Sequence, residues 1–329
     1  MIHKFLVAWL LLVWAWAATA QTGAAPTSCS TTGDLDVVMR ENIERTAQQF
    51  ANLALQGDAS ALRQNSTAGL AASFSAIETL IGDYKPNLAG GTAKTRNLYL
   101  LEARGSKPLE SATFYCGIMN SPEATAFNLT NLPPGRYAIV IQEVTAPKTP
   151  FLLTQILKDE GGWKLAGFYL KPTQLAGHDA TWFLQKARDF KARAATHNAW
   201  FYYLAAWDMT SPVEFMSTRE LDRLVDEMAA VRPNDLPFSG PVDLAGSGKI
   251  YKVTYVSMVP VENDLYLLVR YESADVSNSQ QAYADNMNVI KAVTTQYPEY
   301  RQGFAGVVAR ATEPSGRDYG SMLAMKDVK

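Results

Sequence analysis

The stretch HNAWFYYLAAW, residues 197–207, sets Trp200, Phe201, Tyr202, Tyr203 and Trp207 beside one of the three histidines of the chain. Aromatic rings ranged around a cavity make a ligand cage, whereas rings repeating with the period of a helix make a packed face. On a helix, Trp200, Tyr203, Leu204 and Trp207 share one side, and Phe201, Ala205 and Asp208 share another. The residues before them offer Phe183, Ala187, Phe190 and Ala194 at matching spacing, so the run reads as one half of an antiparallel hairpin. A packed middle of the chain is therefore expected here, not a cage.

Other chemistry is sparse. His178 and His197 have no cysteine near them and match no metal-ligand spacing, so no metal and no cofactor are expected. His197, between two helices, reads as a cap or a solvent-facing residue. The serines lack a G-x-S-x-G elbow, and neither cysteine has a histidine neighbour. Gly246-Ser247-Gly248-Lys249 precedes a strand pattern, which makes it a hairpin turn and not a phosphate loop. No catalytic residue is assigned. What remains for hydrolysis is carboxylates, with Asp159, Glu160 and Asp179 the candidates, which would need two carboxyl groups about 5–9 Å apart.

The first residues carry Lys4, an apolar run from Phe5 to about Ala18, and Ala18-Thr19-Ala20 before Gln21. A basic head, a short apolar centre and small residues before the cut describe a secretory signal peptide, here residues 1–20, cleaved after Ala20. The apolar run is short for a membrane span, and no stable span is expected after cleavage. An exported chain with two cysteines is expected to join them, giving a Cys29–Cys116 disulfide in a periplasmic or secreted protein of the bacterial envelope. Loss of Lys4 leaves 29 Lys and Arg against 32 Asp and Glu, with no long run of either sign. Nucleic acid is not an expected partner, since phosphate neutralisation needs a concentrated basic face.

The elements that must position any site follow an α+β order. Residues 21–35 read as a linker. From Asp36 to Ala54, the residues Val37, Val38, Ile43, Ala47, Phe50, Ala51 and Ala54 make a helical stripe, and a shorter helix follows from Phe74 to about Gly82. Strand patterns then fill residues 95–171 and close on GGWKLAGFYLKP. Helices followed by a meandering antiparallel sheet with that closing hairpin resemble the NTF2-like (cystatin-like) superfamily over residues 36–172. The resemblance implies a curved sheet around a long helix and a conical pocket behind Tyr99, Tyr115, Trp163 and Tyr169. Enzymes of that superfamily place an Asp/His or Tyr/Asp pair in the cone, and this region has no histidine.

Residues 178–233 turn helical. Asn198 is placed to cap a helix, Ser211-Pro212-Val213-Glu214 and Ser217-Thr218-Arg219-Glu220 read as capping boxes, and Pro233 ends the segment. This helical connector resembles a single tetratricopeptide-type helix pair. Residues 245–329 read as two strands, a helix from about Ser279 to Thr295, and two more strands, a ββαββ unit with a small antiparallel sheet. Three fold-like segments without a catalytic constellation point to a binding or assembly module of the cell envelope. The partner is an unidentified small molecule or envelope protein. A carboxylate hydrolase and a purely structural assembly role are the alternatives.

Overall fold

The computed structural model describes residues 27–329. The leader, with its cut after Ala20, and residues 21–26 of the expected linker lie outside the described residues. The chain is α+β, as its patterns require.

The N-terminal unit opens with β1 (Thr27–Thr31) and α1 (Val37–Gln56). Asp36 caps α1 by accepting from the Met39 N–H at 2.9 Å, and Gly57 ends it with φ 74°, a left-handed cap that glycine adopts without strain. The predicted stripe supplies its buried face, Ile43, Ala47, Phe50, Ala51 and Ala54, while Val37 and Val38 are exposed. Short α2 (Ala59–Gln64) and α3 (Ala68–Ala72) lead to α4 (Ser75–Leu88). α4 runs past its expected end through Pro86, which gives up one backbone bond to the preceding turn, and Leu88 buries on the same side as Ile77 and Ile81.

Six strands follow: β2 (Thr92–Ala103), β3 (Leu109–Cys116), β4 (Thr125–Leu132), β5 (Gly135–Thr145), β6 (Phe151–Asp159) and β7 (Trp163–Pro172). An antiparallel sheet of order β1-β2-β5-β6-β7 forms the middle layer. One face takes the helices through Phe50, Phe74, Leu98, Val140, Leu153 and Phe168. The other takes the β3–β4 hairpin through Tyr99, Leu101, Phe114, Phe127, Ile139 and Ile141. Burial on both faces explains why β5 reads Tyr-Ala-Ile-Val-Ile without polar alternation. Part of the expected linker is thus structure: β1 pairs with β2 from Ala103 to Tyr99, and Cys29 is bonded to Cys116 of β3 with Cα atoms 5.1 Å apart. A Thr/Ser-rich stretch looks like linker by composition, yet threonine is β-branched and suits an edge strand.

A two-strand turn, β8 (Gln174–Leu175) with β9 (His178–Asp179), enters α5 (Ala180–Ala192) and α6 (Thr196–Thr210). These two pack as the expected hairpin. Next come β10 (Met216–Thr218), α7 (Arg219–Ala229), β11 (Val242–Gly246), β12 (Lys249–Val261), β13 (Asp264–Glu272), α8 (Ser279–Gln296), α9 (Tyr300–Gly303), β14 (Gly306–Thr312) and β15 (Asp318–Ala324). The last five strands form one sheet of order β11-β12-β13-β14-β15. It is mixed, not antiparallel, because α8 crosses over between β13 and β14 and returns the chain parallel. β11 is an added strand that the Pro/Gly-flanked sequence conceals.

Three further expectations are corrected. Residues 211–214 start no helix: Ser211 closes α6, and Val213 and Met216 are buried in the second core of the N-terminal unit, so this segment is drawn out as a plug. Thr218, not Ser217, caps α7, accepting from the Leu221 N–H at 3.2 Å. Asn198 lies inside α6, fully buried, donating to the Glu299 carbonyl at 2.6 Å. A single core also runs from Phe183, Tyr203 and Leu224 through Tyr251, Val269, Val289 and Val307, so the helical pair and the C-terminal sheet share one interior.

Candidate functional site

The four tyrosine and tryptophan positions expected around one cone do not converge. Trp163 packs on the helix side of the middle sheet. Tyr99 belongs to the opposite core, and Tyr169 also faces away from the helices, its ring 5.8 Å from that of Phe215. Tyr115, 70% exposed, points outward from β3. Trp163 and Tyr169 stand an even number of positions apart on β7, which strict alternation would set on one face, but a bulge opposite Ile156 and Leu157 shifts the register and sends them to opposite faces.

The large concavity lies elsewhere, at the junction of the two units. A cleft of about 1050 Å³ has one wall made by Thr31, Arg96, Tyr99, Glu143 and Leu152, from β1, β2, β5 and β6. The facing wall is made by Asp179, Thr181, Thr210, Met216 and Glu220, where α5 and α7 begin and α6 ends. The β3–β4 loop borders it through Gly117, Ile118 and Glu123, and an adjoining trough of about 580 Å³ shares Gly117, Ser121, Thr125 and Thr218 with the cleft. Tyr99 thus lines the cleft and Tyr115 the trough. Ile118 and Met119, on the loop between them, are 79% and 74% exposed.

Two contacts join the units beside the cleft. At one, Lys171 Nζ bonds Asp208 at 2.8 Å and lies 5.7 Å from the centre of the Trp207 ring. At the other, β10 pairs with β4 while Phe215 meets Tyr169 and Phe127.

Its border is acidic: Glu123, Glu143, Asp179 and Glu220 outnumber Arg96, which itself reaches Glu143 at 3.8 Å. The two helix starts are occupied by their own caps, Asp179 accepting from the Trp182 N–H at 2.9 Å and Thr218 from Leu221. The cleft offers threonine hydroxyls, carboxylates and isolated apolar side chains. That mixture suits hydrogen bonding and grip along a chain more than proton transfer at one atom.

The expected carboxylates are scattered. Asp159 is paired with Arg136, and Glu160 with Lys158 at 3.2 Å, both at the β6–β7 turn. Asp179 lies beyond the far end of β7, a strand of ten residues, which at roughly 3.3 Å per residue is about 30 Å long. Only Asp179 reaches the cleft. Among the described residues no group of three or more His, Cys, Asp and Glu is placed to hold a metal ion.

The aromatic stretch is interior: Trp200 is 7% exposed, and Phe201, Tyr202 and Tyr203 are buried with it. His197 is neither a simple cap nor solvent-facing. Its ring is held between Glu299 Oε1, 2.7 Å from Nδ1, and Asp235 Oδ1, 2.8 Å from Nε2. Those partners stand 102 and 38 residues away in sequence, beyond any local motif. The cleft was equally hidden, because it is assembled from short runs of residues drawn from segments spread between Thr31 and Leu221. No protein-family profile, no curated protein and no solved structure matches this chain.

Proposed function

We propose that the protein is an exported binding module of the cell envelope that holds an extended segment of a partner protein in the cleft between its two units. The observation that carries this reading is the cleft itself, about 1050 Å³ in volume and sharing Gly117, Ser121, Thr125 and Thr218 with a second trough around the β3–β4 loop. A compact ligand needs enclosure on most sides, whereas an extended one needs length, hydroxyls for its backbone and spaced apolar contacts. Ile118, Met119 and Tyr115 supply those contacts, and exposed apolar side chains grouped at a groove mark interaction sites. Export is supported by the leader pattern and by the Cys29–Cys116 disulfide. Among the described residues no helix is long and apolar enough to cross a membrane.

A random twelve-residue peptide library, displayed and selected on the purified protein, tests the reading. Enrichment of a peptide family whose binding is lost in Ile118→Arg and in Thr181→Trp is expected. Failure to enrich, or binding untouched by both changes, overturns it. The carboxylate hydrolase stands second because Glu123, Glu143, Asp179 and Glu220 border the same cleft. Turnover in a broad hydrolase panel that disappears in Glu123→Gln or Glu143→Gln would replace the first reading with that one.

A further inference from the structure

A strand at the edge of a sheet leaves a row of N–H and C=O groups that another chain can pair with, unless the edge is covered, charged or interrupted. Residues 65–67 cross β7, the Thr67 N–H donating to the Leu165 carbonyl at 2.8 Å and the Leu165 N–H to the Asn65 carbonyl at 3.0 Å. β1 and β3 are tied to each other by Cys29–Cys116 and by the Thr27 hydroxyl, which donates to the Thr113 carbonyl at 3.1 Å. β10 has three residues, and β11, five residues long, follows Pro241 and carries exposed Asp243. β15 has none of these devices. Its seven residues, DYGSMLA, include no proline, pair with β14 without a bulge and carry Asp318 as their single charge.

The direction of its backbone groups is fixed from both ends. Just past the strand the Met325 N–H donates to the Ala305 carbonyl at 2.7 Å, and just before it the Glu313 N–H donates to the Arg317 carbonyl at 2.9 Å. Both bonds continue the register that pairs β14 with β15. In an antiparallel ladder, residues alternate between bonding the partner strand and pointing away from it. Tyr319, Ser321 and Leu323 therefore bond β14, and Gly320 and Met322 turn their N–H and C=O groups outward, where among the described residues nothing bonds them. Side chains alternate as well. Ser321 faces α8, its hydroxyl accepting from Asn286 Nδ2 at 2.9 Å, and Gly320 and Met322 face the opposite side. Met322 is 52% exposed, and the space over Gly320 is open, with nothing nearer than 3.9 Å to where a Cβ would stand.

We propose that β15 pairs antiparallel with β15 of a second copy, about a two-fold axis at Ser321, joining the two C-terminal sheets into one. In this register the strand is its own complement. The outward N–H and C=O groups of Gly320 bond those of the copy's Met322, and each exposed methionine lies beside the other strand's bare glycine. On the α8 side Tyr319 meets the copy's Leu323. The single charge sets the direction: antiparallel pairing holds the two Asp318 side chains at opposite ends, about 20 Å apart at roughly 3.4 Å per residue, whereas parallel pairing would put them side by side. The same patch is used on both copies, so the assembly closes at two. This surface is separate from the cleft, and neither reading depends on the other.

Sedimentation equilibrium of the whole oxidised protein tests this, and a monomer–dimer equilibrium with a dissociation constant of about 100 μM or tighter is expected. Met322→Pro removes an outward N–H and spares the β14 ladder, so it should leave monomer throughout. Met322→Lys alters only an exposed side chain and should weaken the dimer about tenfold, since the change is made twice across the axis. Ser321→Cys, which meets itself on the axis, should oxidise to a covalent dimer, while Met322→Cys, more than about 7 Å from its counterpart, should link far more slowly. A protein that stays monomeric up to about 100 μM, or a dimer that both Met322→Pro and Met322→Lys leave unchanged, overturns the proposal. So does a dimer in which Met322→Cys links and Ser321→Cys does not.

Discussion

Trp200 of α6 meets Phe238 edge to face, with Arg232 lying over both rings, 6.0 Å from the first and 4.6 Å from the second. The stack closes the shared interior of the helical pair and the C-terminal sheet at one end. Trp200→Ala removes a large buried ring, and the expected loss is about 3–5 kcal/mol. Thermal unfolding of the whole chain should register it, and a variant that melts with the parent would mean that this ring does not support the core.

Reduction should loosen the N-terminal unit. The Cys29–Cys116 bond closes a loop across 87 residues, and by chain entropy alone a loop of that size is worth about 4–5 kcal/mol. Urea midpoints of Cys29→Ser/Cys116→Ser against the oxidised parent give the number, and amide exchange should place the first losses in β1, which among the described residues has only β2 as a strand partner. Equal midpoints would show that β1 holds without the bond.

Between α1 and the middle sheet two glutamines are fully buried, Gln155 donating from Nε2 to Gln142 Oε1 and to the Ala47 carbonyl, each at 2.8 Å. Gln142 Nε2 and Gln155 Oε1 are left without partners. A lone Gln155→Leu strands Gln142 and should cost about 1–3 kcal/mol, whereas Gln142→Leu/Gln155→Leu removes both needs and should be nearly neutral. A double-mutant cycle that is additive would contradict this.

Acid stability should report on Glu313. Hydrogen bonds from Arg317 and from the Val276 N–H, the latter at 2.6 Å, with Ser315 added, hold its carboxyl down at about 2, against an ordinary value of 4.5. The folded-state value is the lower one, so the stabilisation is complete above about pH 4.5 and is lost as pH falls toward 2. Glu313→Gln should flatten that part of the stability curve and leave its slope near neutrality alone. An unchanged acid limb in the variant would refute the assignment.

What the sequence determined by itself was local. Apolar residues three and four apart dictated α1, α5 and α6, because a helix buries whatever its own period aligns. The aromatic spacing of residues 197–207 announced interior positions for the same reason, and two cysteines in a chain with a leader pattern were enough to pair them. Only tertiary structure decided the rest. Val213 and Met216 left the helix their capping box promised because a core outside their own segment had room for them. His197 acquired Glu299 and Asp235 from opposite sides, and the cleft drew its walls from strand ends and helix ends far apart in the chain. Contacts of that kind depend on where whole elements dock, and docking leaves no period in the sequence to read.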